Sequence, residues 1–445
     1  MAKLLVIADD LTGAIDTGVQ FAALGISVFV LLKDFSEYPG DNAAQVLVVN
    51  TSSRHLPPKA AYDAVYQVTR QALLHGVAAI YKKTDSGLRG NIGAEMQAVI
   101  DAAGGQRMAF IPSYPKMNRV VKNQVLYIDG MPVSQSVFGK DAFTPVTRDR
   151  VADIIAIQSD LPVYLEERPG AQASIRLYEA QTEVDMAAAA ADAKAANFQL
   201  YAGCAGFAAY LPSIISLQKQ SATAPWVYRD VLVVSGSISQ LNLTQLSKAQ
   251  EVGFATYTPG GSALHRQDYM GSAGHLEMKE SILQMLEETG RAVVDVAGSQ
   301  ERVSKSFSIA EAQGVSLETA RATVARNMGL LASSVLRHKK QLTLGVFGGD
   351  TLLEVLNAID CIGILPVCEI EPGVVYSVCQ TKEADIPLIS KSGNFGRENL
   401  FHQLNVFLNR YERKSIDETE RYHSGNRDPH ARGRIAQPSR TGTAG

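Results

Sequence analysis

The sequence predicts an α/β protein of two domains, each with a mainly parallel sheet flanked by helices. Three observations predict it. Short apolar runs of strand length alternate with helical stretches in both halves of the chain, and strands that are apolar throughout are those covered on both faces, as in parallel sheets. The alternation weakens once, near residues 205–228, where Pro212 and a Ser-Ala-Thr-Ala-Pro stretch at 221–225 punctuate the chain. The length, 445 residues, gives two or three domains at roughly 150 residues each, and two large ones fit the single break better. The expected division is 1–215 and 225–413.

In the first half, strands are expected at 4–8, 27–32, 46–50, 79–82 and 108–111, with helices over 13–24, 60–75 and 93–103. Thr12 stands where the N-cap of the first helix would stand. In the second half, strands are expected at 231–235, 292–296, 342–347 and 387–390. The longest helical stretch, 316–336, spaces its apolar residues by three and four. Helices at 351–358 and 396–408 follow loops of small residues. From Lys414 onward the chain is rich in Arg, Gly, Ser, Thr, His and Pro. Such a segment buries too little apolar surface to offset its ordering entropy, so 414–445 is expected to be disordered.

Composition narrows the function. Lys plus Arg number 42 against 45 Asp plus Glu, a formal charge of −3, whereas phosphate-backbone binding needs a basic surface. No apolar run approaches the roughly 18 residues of a membrane span, and the N-terminal run is too short for a signal peptide. Neither nucleic acid nor membrane is an expected partner. Four cysteines, Cys204, Cys361, Cys368 and Cys379, contain no C-x-x-C pair. They read as buried thiols of a cytoplasmic protein rather than a disulfide framework or a zinc site.

The chemistry gathers at strand ends. The first strand ends in Asp9-Asp10-Leu11-Thr12-Gly13, and open α/β sheets bind ligands at the carboxyl ends of their strands. Adjacent acids there must be solvated, paired or used. A phosphatase with an aspartyl nucleophile would need acids at i and i+2, but Leu11 holds the second place, and no G-x-G-x-x-G follows to bind a dinucleotide. The fourth strand runs into Lys82-Lys83-Thr84-Asp85-Ser86-Gly87-Leu88-Arg89-Gly90-Asn91. This is a dense donor set for an anionic, polyhydroxylated ligand, although a salt-bridged surface turn would use the same residue types. Arg54, after the third strand, can reach the same edge, where a guanidinium suits bidentate capture of a carboxylate.

The second half has three strand–small-loop–helix junctions: Ser235-Gly236-Ser237, Gly348-Gly349-Asp350-Thr351 and Ser392-Gly393-Asn394-Phe395-Gly396. Such loops aim backbone N–H groups and a helix N-terminus at one point, which is how proteins hold phosphates. Each alone is weak, but three in one domain point to a nucleotide. Neither a G-x-x-x-x-G-K-[ST] loop nor a protein-kinase set is present. The nearest string to the former, Phe138-Gly139-Lys140-Asp141, lacks the leading Gly and the hydroxyl residue.

On these strings, from Ile7-Ala8-Asp9-Asp10 to Lys391-Ser392-Gly393, the sequence resembles the four-carbon acid sugar kinases, two-domain enzymes that phosphorylate C4 sugar acids with ATP. The resemblance implies a sugar-acid site built from Asp10, Arg54, Lys83, Thr84, Asp85, Ser86 and Arg89, with Asp10 or Asp85 as the base. It implies an ATP site built from Ser237, Gly348, Gly349, Asp350, Thr351 and Gly393. Mg2+ would accompany ATP, held by few protein ligands and with Asp350 reaching it through water. Within the family, the segments 16–20 and 50–54 look most like the D-threonate or D-erythronate branch. The expected reaction is transfer to the 4-hydroxyl, of D-threonate first, with D-erythronate or a 3-oxo-tetronate as the alternative. A sensor that keeps the fold without turnover is the alternative of another class. A homodimer is a further expectation.

Overall fold

The structure is a computed structural model and describes residues 2–412 apart from 33–43, 142, 167, 169, 171, 221–223, 261–262, 266, 313 and 394. The tail expected at 414–445, Asn394 and part of the 221–225 stretch lie outside the described residues.

The first half supplies β1 (Leu4–Ala8), β2 (Val28–Leu31), β3 (Val46–Asn50), β4 (Ala79–Lys83) and β5 (Met108–Ile111). A small side sheet follows, of β6 (Arg119–Lys122), β7 (Val125–Ile128) and β8 (Met131–Pro132), and then β9 (Val163–Tyr164), β10 (Ile175–Leu177) and β11 (Leu200–Gly203). The second half supplies β12 (Asp230–Ser235), β13 (Ala255–Tyr257), β14 (Arg291–Asp295), β15 (Leu342–Phe347), β16 (Gly363–Glu371), β17 (Val374–Gln380) and β18 (Asp385–Lys391).

The expected α/β architecture stands, with one addition: the sheets of the two halves are joined into one. The order is β13-β14-β12-β15-β18-β17-β16-β2-β3-β1-β4-β11-β5-β10-β9. The strands from β13 to β18 pair in parallel, as do those from β2 to β9. Between these blocks, β17 and β16 pair antiparallel with their neighbours. The β16–β17 ladder breaks register between Pro366 and Cys368 and again between Glu369 and Glu371, and such irregularities bend a strand.

The all-apolar strands are buried on both faces because alternate side chains enter different cores. Leu4, Val6 and Ala8 of β1 join the cluster that contains Ala14, Ile15 and Val19 of helix α1 (Leu11–Ala22). Leu5 and Ile7 join the opposite one, under α2 (Pro58–Leu74) and α3 (Ile92–Ala102). No described helix is long and apolar enough to cross a membrane. All four cysteines are free thiols; Cys204, Cys361 and Cys379 are buried and Cys368 is half-buried.

Two local expectations are corrected. The N-cap of α1 is Asp10, not Thr12: Asp10 has extended backbone (φ −145°, ψ 157°) and its side chain accepts from the Gly13 N–H, while Thr12 lies inside the helix. The helix expected at 396–408 is Leu400–Tyr411. Its start is delayed because the Phe395 and Arg397 carbonyls accept from the Gln245 side chain and the Arg397 N–H donates to Glu371, which holds that segment as a loop.

Candidate active site

Where β1 ends, Asp9 and Asp10 meet Arg54 from the loop after β3. The Arg54 guanidinium donates to Asp9 through Nε (2.7 Å to Oδ2) and Nη2 (3.0 Å to Oδ1). It donates to Asp10 through Nη1 (3.0 Å to Oδ2) and Nη2 (2.7 Å to Oδ1). The bidentate grip expected on a substrate carboxylate is thus taken by two carboxylates of the protein itself. Asp10 also accepts from Thr12 Oγ1 (2.8 Å) and from the Gly13 amide (3.2 Å). Burial pushes the Asp9 carboxyl up, but Arg54, Lys82 and Lys83 together outweigh it and leave the acid below its usual range. Burial opposes the charge on Arg54, yet Asp10, Asp9 and Asp85 hold it firmly protonated.

The end of β4 separates its two lysines by strand alternation. Lys82 points into the core and pairs with Glu95 at 2.8 Å, a structural ion pair. Lys83 is also buried but points the other way: a Cβ placed on Gly13 would lie 2.8 Å from its Nζ. The Lys83 ammonium has no hydrogen-bond or ion-pair partner among the described residues. It stands beside the first turn of α1 as an available cation.

Asp85 organises the loop that follows. It accepts from the Gly87 amide (3.0 Å), the Arg89 amide (3.3 Å), Arg89 Nε (3.0 Å) and Arg89 Nη2 (2.9 Å). Burial raises its pKa, but Arg89 and then Arg54 overcome this and set it far below the carboxylate range. An acid so stabilised as an anion is a poor proton acceptor at neutral pH. Arg89 continues to Asp141 (2.9 Å) and lies over the Phe138 ring (5.0 Å). Thr84 is buried with its hydroxyl unpaired, and Ser86 Oγ accepts from Arg119.

Arg119, which sequence reasoning did not place in the site, lies between two rings. They are Phe138 from its own half (5.2 Å) and Phe395 from the other (5.5 Å). Its Nε is buried without a partner. Asp16, one turn into α1, was likewise not singled out. Its acid is held up to about 7 by burial and by Glu369 and Asp10, against the opposing charges of Lys83 and Arg119.

In the second half the three small loops converge. The Gly236 amide donates to the Phe347 carbonyl (3.0 Å), the Gly348 amide to the Lys391 carbonyl (3.0 Å), and Ser239 Oγ to the Gly393 carbonyl (3.0 Å). A Cβ on Gly393 would lie 3.2 Å from Ser237 Oγ, and one on Gly236 would overlap the buried Thr351 hydroxyl. Gly348 has φ +111°, a conformation that side chains avoid. Helix Gly349–Ala358 starts here, and Asp350, exposed on its first turn, pairs with Arg321 at 2.9 Å. Lys391 is buried, donates to the Gly393 (3.0 Å) and Ser392 (3.4 Å) carbonyls and sits over the Phe347 ring (5.2 Å). Burial alone brings its pKa down to about 7.

The two sets lie against each other. A Cβ on Gly349 would lie 3.6 Å from Thr12 Cγ2, Arg119 meets Phe395, and Arg321 lies 4.6 Å over the Phe143 ring of the first half. Cationic side chains of the first half therefore lie beside the glycine-rich loops of the second.

Comparison with known proteins also divides the chain in two. Residues 4–211 match a sugar-binding N-terminal domain, and residues 232–401 match a nucleotide-binding C-terminal domain. The two together define a sugar-directed kinase. More narrowly, the chain belongs to the four-carbon acid sugar kinase family.

It is 29% identical to the D-threonate kinase of Salmonella typhimurium over 415 residues, 89% of this chain and 96% of that one. It is 28% identical to the D-erythronate kinase of Heliobacterium modesticaldum, over 90% of this chain and 95% of that one. It is 24% identical to the 3-oxo-tetronate kinase of Pseudomonas fluorescens, over 89% and 94%. Two solved structures share the fold. One is a Salmonella typhimurium protein provisionally described as a tRNA synthase (TM-score 0.75, 20% identity, 91% of this chain and 99% of that one). The other is a Haemophilus influenzae protein of family DUF1537 (TM-score 0.69, 20% identity, 91% and 100%).

Proposed function

We propose that the protein is an ATP-dependent kinase that phosphorylates the terminal 4-hydroxyl of a four-carbon sugar acid, D-threonate first. The division of labour follows residues 1–215 for the sugar acid and 225–413 for the nucleotide. The observation that carries this reading is that the two halves meet here: Thr12, which adjoins Gly13, the neighbour of the unpartnered Lys83 ammonium, lies against Gly349, and Arg119 lies over Phe395 of the Gly393 loop. The preference for D-threonate rests on two curated relatives with that activity, at 29% and 28% identity over most of the chain. D-Erythronate is the second reading, favoured by a relative at 28%.

In this reading Lys83 and Arg119 neutralise the substrate carboxylate. Asp10, oriented by Arg54, together with Thr84 and Ser86 bonds the sugar hydroxyls. Asp85 and Arg89 keep the loop in shape. Backbone amides at Gly349 and Gly393, the Ser237 and Thr351 hydroxyls and the N-terminus of the helix Gly349–Ala358 receive the phosphates. Among the described residues no group of three His, Cys, Asp or Glu side chains gathers to hold a metal. The donors beside the phosphate loops are amides, hydroxyls and Asp350, a set that fits a magnesium ion held chiefly by phosphate and water. Such an ion would offset charge on the transferring phosphoryl group, while the chain's own residues position and desolvate the reactants. The reading places the enzyme in the cytoplasm.

The test is ADP release on mixing ATP with D-threonate, D-erythronate, L-threonate and a 3-oxo-tetronate, with the phosphorylated carbon assigned by NMR. D-Threonate should give the highest kcat/KM and a 4-phosphate. ATP binding with no turnover on any C4 acid would instead identify a sensor.

A further inference from the structure

Transfer to a hydroxyl releases a proton, and neither acid that the sequence offers is placed to take it. Asp85 accepts hydrogen bonds from two amides and from two nitrogens of Arg89. Asp10 accepts two from Arg54, one from Thr12 and one from Gly13. Both carboxylates are held as anions by several charge-assisted bonds, and accepting a proton would break them.

A third carboxylate lies on the same helix. Asp16 follows Thr12 by four residues, so the two share one face of α1, about one 5.4 Å turn apart. That face meets the other half, since Thr12 lies against Gly349 of the phosphate loop. The helix also packs on the other half, where a Cβ on Gly18 would lie 3.0 Å from Pro366 of β16. Asp16 is half-buried, and its carboxyl has no hydrogen-bond or ion-pair partner among the described residues.

Its surroundings are defined on every side. Lys83 from the end of β4, Arg119 from β6 and Asp10 from the cap of its own helix face it, as does Glu369 from β16, and Tyr114 and the buried thiol of Cys204 lie near. Glu369 is itself occupied, accepting from the Gly373 amide at 3.1 Å.

We infer that Asp16 is the group that takes the proton from the attacking sugar-acid hydroxyl, an assignment that rests on the kinase reading above. As the sugar oxygen bonds to the γ-phosphorus, the bond from that phosphorus to the β,γ-bridging oxygen breaks, and its electron pair leaves on ADP. The hydroxyl proton passes to the Asp16 carboxylate and is given to water after product leaves. Burial keeps the acid weak enough, near 7, to be an effective proton acceptor at neutral pH.

The experiment compares full pH–rate profiles of the parent, Asp16→Asn and Asp16→Glu, with ATP affinity by calorimetry and thermal melting as controls. The parent's kcat should rise about tenfold per pH unit on its acid side and level off near neutrality. Asp16→Asn should lose about 10²- to 10⁴-fold in kcat and lose that acid limb, with sugar-acid KM within about threefold and ATP affinity unchanged. Asp16→Glu should recover part of kcat with a shifted limb. A kcat within tenfold of the parent with the limb intact, or a rise confined to KM, overturns the assignment. If Asp16→Asn does not fold, Asp16→Glu decides: an unchanged kcat and limb overturn it equally. A parent that binds ATP and phosphorylates no C4 acid refutes the kinase reading, and this inference with it; a parent that turns over while the variants match it refutes this inference alone.

Discussion

One guanidinium, that of Arg54, bridges the adjacent carboxylates of Asp9 and Asp10, with its Nη2 2.7 Å from Asp10 Oδ1 and its Nε 2.7 Å from Asp9 Oδ2. Two neighbouring acids at a strand end are tolerated because a single planar cation satisfies both, which a lysine's point charge would not do.

Arg54→Lys keeps the charge and loses the bridge. Asp10 then loses its orientation, and kcat/KM for the sugar acid should fall about 10- to 150-fold, as for loss of a charge-assisted contact of about 1.5–3 kcal/mol. ATP affinity, measured by calorimetry, should stay within about twofold. Arg54→Ala leaves a buried acid unpaired and should also destabilise the fold by about 3–5 kcal/mol in denaturant melts. An unaltered sugar-acid KM and kcat in both variants would remove Arg54 from the site.

Gly349→Val separates the two ligands. Among the described residues a Cβ at Gly349 would meet only Thr12, at 3.6 Å, so valine should fold but project into the path of the phosphates. ATP binding should weaken at least about tenfold while sugar-acid binding persists. Gly393→Val, tighter against Ser237 Oγ, should behave likewise with a larger loss of melting temperature.

Lys391 should make nucleotide binding pH-dependent. Burial holds its pKa near 7 in the free protein, and an arriving phosphate favours the charged form, so the bound value is higher. Below about pH 7 the ammonium is charged in both states and ATP affinity is greatest. Between the free and bound values binding takes up a proton, and affinity falls as pH rises. Calorimetry in buffers of different ionisation enthalpy should detect that uptake near pH 8. Lys391→Met should abolish it and weaken ATP about 10- to 150-fold at pH 6, the range for a hydrogen bond to a charged group.

Asp85→Asn tests the loop. The folded pKa of Asp85 lies below its ordinary value of 3.8, so the stability it supplies is fully present above that value and lost as pH falls through the depressed one. The variant should therefore melt lower than the parent at pH 7 and converge with it as the solution is acidified below pH 4. Its sugar-acid KM should rise with the loosened loop. A parent-like melting curve at pH 7 would show that Arg89 is held by Asp141 alone.

The sequence made the parallel strands legible because both faces of each are covered: β1 and β3 read as unbroken apolar runs with the boundaries found. It left β16 and β17 unassigned. Pro366 interrupts β16, whose residues are partly exposed, and a bulged antiparallel ribbon joining two sheets has neither the unbroken nor the alternating pattern. Thr12 and Asp10 are both good capping residues, and only the backbone angles choose between them. The residues in contiguous strings, Lys83 to Arg89 and Gly348 to Thr351, were legible because chemistry and spacing coincide. Arg119 and Asp16 were not, since each gains its place through partners distant in sequence: Arg119 through Phe395, Asp16 through Glu369.

The antiparallel rungs Gly363–Leu31 and Ile364–Val30 make the second half's ribbon the neighbour of the first half's outermost parallel strand. Unfolding either half strips an edge from the other, so heat should reveal a single cooperative transition. Each ligand then protects the half it does not touch: ATP at 100 times its Kd adds about 2.7 kcal/mol to the whole chain, and a protease that cuts only the opened sugar-binding half should be slowed by nucleotide alone.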